Sequence, residues 1–312
     1  MEKNIKVAVI GVGSIGVHHS RIFSELEGVE LVGVVDIDEE KAQDIAARYK
    51  CRAFRDYSEV LGLVDTVSIA VPTLMHYRIA MDFLQNDKDI FIEKPITSTL
   101  DESDSLLFEA KKRGLIIQVG HLERFNTGVS LIGNMIHAPK FIESSRLSPF
   151  MGRGIDVDVT LDLMIHDIDI ILSLVKSDIS ELRATGTKVL TGNLDIAYAW
   201  LEFENGCIAE VVASRIADKK VRQLKVFQQN TYLNLDYLTQ EVTRYTRHNE
   251  EVKKEVEKPV EKEPLKEQFI SFINCVKNRT QPLVSGMEGK EALQVALQIS
   301  ELIHDDDTSK GN

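Results

Sequence analysis

The sequence predicts an α/β protein: a doubly wound parallel sheet in the N-terminal part, followed by an α+β half. Three observations predict it. Val7-Ala8-Val9-Ile10 is an apolar run that feeds the turn Gly11-Val12-Gly13-Ser14-Ile15-Gly16. Strand and helix patterns then alternate regularly as far as Val119. Beyond His121, successive strand patterns are joined by short turns, of which Asn205-Gly206 is the strongest. The change of pattern places the expected boundary between domains 1–122 and 123–312.

The first turn is a Gly-x-Gly-x-x-Gly fingerprint in its proper context. A strand precedes it, a helix pattern starts at Ser14, and a second apolar run, 29–35, ends at Asp36. Gly11 permits the tight turn, Gly13 lets the backbone approach a pyrophosphate, and Gly16 lets the helix close on the strand. Ser14 and Ile15 lie where free N–H groups and the helix dipole favour phosphate. Asp36, about 20 residues on, offers a carboxylate to the ribose hydroxyls. It also repels a 2′-phosphate, and Ile37-Asp38 brings no arginine to one. The expected cofactor is therefore NAD.

The other elements follow in order. Asp38 reads as the N-cap of a helix over 39–49. Phe54 marks a short strand and 58–63 a short helix. A strand over 65–71 ends at Pro72, a helix covers 74–85, and a strand over 89–92 ends at Glu93-Lys94-Pro95. Thr99 and Glu102 form a capping box for a helix reaching Arg113, with Gly114 past its end and a strand over 115–119. The second half shows a helix over about 124–136, a strand over 140–147, a helix over 160–175, and strands over 181–187, 196–203, 207–215, 221–228 and 232–236. Residues 250–266, dense in Glu and Lys, read as a solvated edge strand or a loop. Helices over about 265–277 and 287–304 close the chain, and 304–312 is expected to fray.

At 312 residues the chain can bury a large core. A net charge of −12 argues against nucleic acid or an anionic membrane as partner. No apolar run approaches the roughly 18 residues of a membrane span, and no signal-like segment precedes the first strand. Cys51, Cys207 and Cys275 show neither metal spacing nor a disulfide framework, which fits a reducing cytoplasm.

Two places carry chemistry. Ligands of open α/β sheets bind beyond the carboxyl ends of the strands. Ala70, Pro72 and Thr73 close one strand there, Glu93 and Lys94 close another, and His76 opens the next helix. Lys94 is then either a substrate-directed cation or a surface lysine. The second place is 160–175, apolar on most sides yet carrying Asp162, His166, Asp167 and Asp169. At about 100° per residue, Asp162, His166 and Asp169 fall within about 60° of one another. If buried, such a stripe pairs internally or faces a cavity, where an imidazole beside carboxylates suits proton transfer. The alternative is a solvent-facing stripe. A metal is not expected, since His18, His19 and His121 lack ligand spacing. His121, Glu123, Arg124 and Asn126 cluster at the domain junction. Arg215, Lys219, Lys220 and Arg222 form a local basic patch that suits phosphate, or is ordinary strand-surface charge.

Together these residues resemble the Gfo/Idh/MocA family of NAD(P)-dependent sugar oxidoreductases. The resemblance covers nearly the whole chain. It rests on the 11–16 fingerprint, on Glu93-Lys94-Pro95 and on Asp162-x-x-x-His166-x-x-Asp169. It implies a Rossmann domain followed by a domain with a large open, mostly antiparallel sheet, which usually forms a homodimer or homotetramer interface. It implies Lys94, Asp162 and His166 as catalytic, with His166 and Lys94 interchangeable as base.

A closer likeness, to the UDP-N-acetylglucosamine 3-dehydrogenases of the family, is carried by four segments. They are His121-Leu-Glu-Arg124-Phe125-Asn126, Asp162-Leu-Met-Ile-His166-Asp167-Ile-Asp169, Lys219-Lys220-Val-Arg222 with Leu235-Asp236-Tyr237, and Glu263-Pro264-Leu265. The chain departs at Thr127, where Pro is common. This likeness implies oxidation of the sugar 3-hydroxyl of a nucleotide sugar to a ketone, with Arg124, Asn126, Asp169 and Arg222 toward the substrate. The alternatives are an inositol or free-sugar dehydrogenase and a non-catalytic NAD-binding regulator.

Overall fold

Six short strands rich in β-branched residues build the first sheet. They are β1 (Ile5–Ile10), β2 (Val29–Val35), β3 (Arg52–Phe54), β4 (Thr66–Ile69), β5 (Asp89–Ile92) and β6 (Ile117–Val119). In the computed structural model, which describes residues 4–152 and 154–310 (306–310 by backbone only), all are parallel, in the order β3-β2-β1-β4-β5-β6. Val7, Val9, Val67, Ile69, Ile90 and Ile92 are all fully buried, as in a sheet covered on both faces. The connections are α1 (Gly16–Glu25), α2 (Glu39–Tyr49), α3 (His76–Gln85) and α4 (Leu100–Arg113). The strand order reverses between β1 and β4, so their carboxyl ends flank the crevice where such sheets take ligands.

Local signals fix the helix ends. The Asp38 carboxylate accepts the Lys41 N–H at the start of α2. Thr99 and Glu102 close a reciprocal capping box on α4, and Gly114 ends that helix at φ 66°. Two expected helices differ. Residues 57–60 form a 3-10 turn, and a further 3-10 turn over 73–75 after Pro72 delays α3 to His76.

The second sheet has eight strands in the order β14-β13-β12-β11-β7-β10-β9-β8. Their ranges, with the two helices that precede or interrupt them, are α5 (Thr127–Met135), β7 (Pro139–Leu147), α6 (Ile165–Val175), β8 (Ile179–Thr187), β9 (Ile196–Phe203), β10 (Ile208–Ser214), β11 (Val221–Gln228), β12 (Thr231–Asp236), β13 (Glu241–His248) and β14 (Glu251–Glu257). All pairs are antiparallel except β7 with β10. One face packs Ile142, Leu201, Val211, Leu224 and Leu233 against Ile132 of α5 and Ile168 and Ile171 of α6. The other face carries an aromatic row. Ring centroids run Trp200–Phe141 5.7 Å, Phe141–Phe227 6.0 Å, Phe227–Tyr232 4.9 Å and Tyr232–Tyr245 5.4 Å.

Two expectations change here, and one is met. β13 was not foreseen, because it fully buries only Val242 and so has little apolar alternation. The Glu- and Lys-rich segment supplies β14, a charged edge strand of the kind that resists further pairing. The helix expected over 160–175 is not one α-helix, since 160–164 forms a π turn before α6 begins.

The chain divides into two units: Met1–His121 with Leu265–Lys290, and Leu122–Pro264 with Glu291–Asn312. Residues 265–290, which the sequence places in the second domain, thus belong with the first. The reason is apolar: Phe269, Phe272 and Ile273 of α7 (Pro264–Asn278) join Val7, Val9, Ile22 and Phe23 in one core. α8 (Gly286–Lys310) stays helical where fraying is expected, to the last described residue. Ile299 and Ile303 anchor it in the second core, and His304 Nε2 lies 2.9 Å from Asp158 Oδ2. Residues 311–312 lie outside the described residues. Among the described residues no helix is long and apolar enough to cross a membrane, and no His, Cys, Asp and Glu cluster could hold a metal.

Candidate active site

The candidate residues fall into one group in each unit. In the first unit, Gly11 has φ 87°, and a Cβ on Gly16 would stand 1.9 Å from the Gly11 carbonyl oxygen. Neither position admits a side chain. A Cβ on Gly13 would meet nothing within 4 Å, so the turn is open on the side where a pyrophosphate belongs. Gly13 and Ser14 are exposed, Ile15 is half-buried, and no side chain caps the start of α1. Asp36 is held in place: Oδ2 accepts the Val12 N–H at 2.8 Å and Oδ1 the Asp38 N–H at 3.0 Å. An open glycine cradle, an uncapped helix start and a fixed carboxylate at the end of β2 fit an NAD pyrophosphate and ribose.

At the carboxyl ends of β4 and β5, Ala70 abuts Gly11, and Pro72 and Thr73 lead into the 3-10 turn. Lys94 is half-buried, between Glu93 and a cis Lys94–Pro95 peptide. Glu93 Oε1 lies 3.3 Å from His19 Nε2, while His19 Nδ1 lies 2.9 Å from Ser68 Oγ. The His76 ring is turned to backbone carbonyls. It is 1% exposed, with Nδ1 at 2.9 Å from the Pro95 carbonyl and Nε2 at 2.9 Å from the Val71 carbonyl.

In the second unit, Asp162 stands on the π turn and His166 in the first turn of α6, both half-buried. A π turn widens the helix locally and is common at functional sites. Asp162 lies against Gly154, where a Cβ would stand 2.5 Å from its Oδ2. Asp169 is 2% exposed, and its Oδ1 receives Arg124 Nη1 at 3.4 Å. Asn126 is committed to structure. Its Oδ1 accepts the Gly128 N–H at the start of α5, and its amide donates to the Tyr237 carbonyl and to Glu123. Arg222 remains one-third exposed, 3.5 Å from Glu123. Burial and the like charge of Arg146 hold its pKa below the usual arginine value, against Glu123, Asp167 and Asp162. Arg215, offered above for phosphate, is 4% exposed and donates to the carbonyls of Gly154 and Val157.

No motif marks Arg146. It is 2% exposed and reaches Asp167 and Glu123, while Ser144 also donates to Asp167. The one available signal was alternation, which puts Arg146 and Ser144 on the same face of β7 as buried Ile142.

The profile of an oxidoreductase family with an NAD-binding Rossmann fold matches residues 5–121, and that of the GFO/IDH/MocA C-terminal domain matches 142–232. UDP-N-acetylglucosamine 3-dehydrogenase from Acidithiobacillus ferrooxidans is 32% identical over 95% of this chain and 96% of its own. The chain belongs to the Gfo/Idh/MocA oxidoreductase family. Its first unit is the NAD-binding Rossmann domain of that family, and the relatives are dehydrogenases. A solved structure of the A. ferrooxidans enzyme matches with a TM-score of 0.92, covering 97% of this chain and 98% of that one. The scyllo-inositol 2-dehydrogenase (NAD(+)) of Bacillus subtilis is 29% identical over 69% of this chain and 68% of its own. The Lactobacillus casei scyllo-inositol dehydrogenase, solved with NAD(H) and scyllo-inositol, shares the fold at a TM-score of 0.84 and 20% identity, covering 97% of this chain and 98% of that one. In Gfo/Idh/MocA terms, the Glu93-Lys94-Pro95 turn lies in the Rossmann unit, and the Asp162–His166 pair lies on the π turn and α6 of the other.

Proposed function

We propose that this protein is a dehydrogenase that oxidises the 3-hydroxyl of a UDP-N-acetylhexosamine to the ketone, using NAD. The observation that carries the substrate class is the 32% identity to the A. ferrooxidans enzyme over 95% of the chain. When bound, NAD supplies the acceptor for the hydride given up by C3. His166 takes the hydroxyl proton as general base. Lys94 donates a hydrogen bond to the same oxygen and stabilises the alkoxide charge as it develops. Asp162 orients the imidazole. Arg222, with its side chain one-third exposed, is the cation we assign to the diphosphate. Arg124 and Asp169 act as a pair at the sugar.

A second reading, oxidation of a free polyol, is favoured by one observation. Arg215 is spent on backbone carbonyls, which leaves fewer cations for a diphosphate. We further propose a homodimer or homotetramer formed through the face that carries the aromatic row. The cytoplasm is the proposed compartment, in keeping with three free thiols.

The test follows reduced nicotinamide by its near-ultraviolet absorbance, with NAD and UDP-N-acetylglucosamine and hydroxylamine to trap the ketone. N-acetylglucosamine and myo-inositol run beside it. Turnover confined to the nucleotide sugar, reduced about 10²- to 10⁴-fold in Lys94→Ala and His166→Ala, is the expected result. Turnover on myo-inositol alone would select the second reading. NAD binding without any turnover would select a regulator.

A further inference from the structure

His76 joins two loops that are far apart in sequence. Its ring sits in the first turn of α3 and folds back toward the helix N-terminus, as helical side chains do. One nitrogen meets the Val71 carbonyl just past β4, and the other meets the Pro95 carbonyl just past β5, each at 2.9 Å. In the imidazolium both nitrogens donate, one to each carbonyl; in the neutral ring only one of them donates, and the other faces its carbonyl without a hydrogen bond. Lys94 stands immediately before Pro95. Its other neighbour, Glu93, meets the buried His19 at 3.3 Å. Lys94 is therefore flanked by two contacts to fully buried histidines, the Glu93 carboxylate to His19 and the Pro95 carbonyl to His76.

We propose that His76 is a positioning residue: it fixes the distance between the Val71-Pro72-Thr73 and Lys94-Pro95 loops and so sets where the Lys94 amine is held. The proposal rests on the assignment of Lys94 to the reacting oxygen. It gives His76 no contact with substrate. The requirement is for N–H donors facing two carbonyls, so an amide with two N–H groups replaces the ring in part, and an apolar side chain of similar size does not.

The experiment compares the full-length protein with His76→Gln and His76→Leu. The rate and pH midpoint of Lys94 acylation are read by peptide mass spectrometry, with the exposed Lys41 as internal standard. NAD affinity and steady-state kinetics are measured on the same samples. In His76→Leu, Lys94 labelling relative to Lys41 should change by at least about threefold, and kcat should fall about tenfold or more. That is the size of effect a displaced catalytic group produces, and KM should move less than kcat. His76→Gln should recover part of both. Unchanged Lys94 labelling in a folded, NAD-binding His76→Leu protein would overturn the proposal. So would a His76→Gln protein no better than His76→Leu. Labelling does not depend on turnover, so the absence of activity on nucleotide sugars would count against the proposed substrate and leave this comparison informative.

Discussion

Arg146 and Asp167 form a two-point ion pair inside the second unit, with Nε to Oδ2 at 2.5 Å and Nη2 to Oδ1 at 3.4 Å, and neither is more than 2% exposed. Arg146 also meets Glu123 at 3.1 Å and lies over the Tyr237 ring at 5.4 Å. Burial opposes the guanidinium charge, and Asp167 and Glu123 outweigh it, so its pKa is raised. Asp167 follows His166 in α6, so this pair ties the helix that carries the proposed base to β7.

Removing one partner of such a pair strands the other charge. Arg146→Met should lower stability by about 3–5 kcal/mol, measured by urea unfolding. Adding Asp167→Leu should restore a large part of the loss, because the stranded carboxylate is then gone. A double variant no more stable than the single one would contradict this account.

We propose that Asp36 selects NAD over NADP. Its carboxylate is fixed by the Val12 and Asp38 N–H groups, so it cannot swing away from a 2′-phosphate. Turnover with NADP should be at least about tenfold less efficient than with NAD, a difference of about 1.4 kcal/mol. Asp36→Ser should narrow the gap. Near-equal kcat/KM values in the wild type would remove Asp36 as the discriminator.

Asp195 makes stability depend on acid. Burial works to raise its pKa, but the Thr191 hydroxyl and the N–H groups of Val189, Thr191 and Leu190 bring it down to about 2. A carboxyl with a lowered folded pKa stabilises the fold above its unfolded value near 3.8. That contribution, about 2 kcal/mol, shrinks as pH falls from about 4 toward 2. Asp195→Asn should therefore be less stable at pH 7 and lose less on acidification. Urea midpoints at several pH values provide the check.

The capping box on α4 is a local test of the first unit. Thr99→Ala leaves the Glu102 N–H without its acceptor and should cost about 1 kcal/mol. Thr99→Ser keeps the hydroxyl and should cost much less. Equal losses would mean that the methyl group, not the cap, matters at this position.

Much of the fold was legible because its signals are local. The glycine fingerprint, Asp36, the Asp38 and Thr99 caps and the Glu93-Lys94-Pro95 strand end are each read within a few residues, and each stands where expected. The site was legible only in part. Asp162 and His166 were read from an ideal helical stripe, but their segment opens with a π turn, so the arithmetic of about 100° per residue does not hold across it. β13 escaped notice because a strand with one fully buried apolar residue has almost no periodicity to read.

The sequence by itself determined the class of fold, the dinucleotide turn and the strand end that carries Lys94, because period and turn chemistry act between near neighbours. Only the tertiary structure decided which polar groups remain available. His76, Asn126 and Arg215 are consumed by carbonyls and N–H groups, some of them more than 50 residues away in sequence. Tertiary packing also gave α7 to the first core and paired Arg146 with Asp167. The physical reason is the same in each case. A buried polar or apolar group must find a complement, and that complement is set by which distant elements pack together, which no local pattern records.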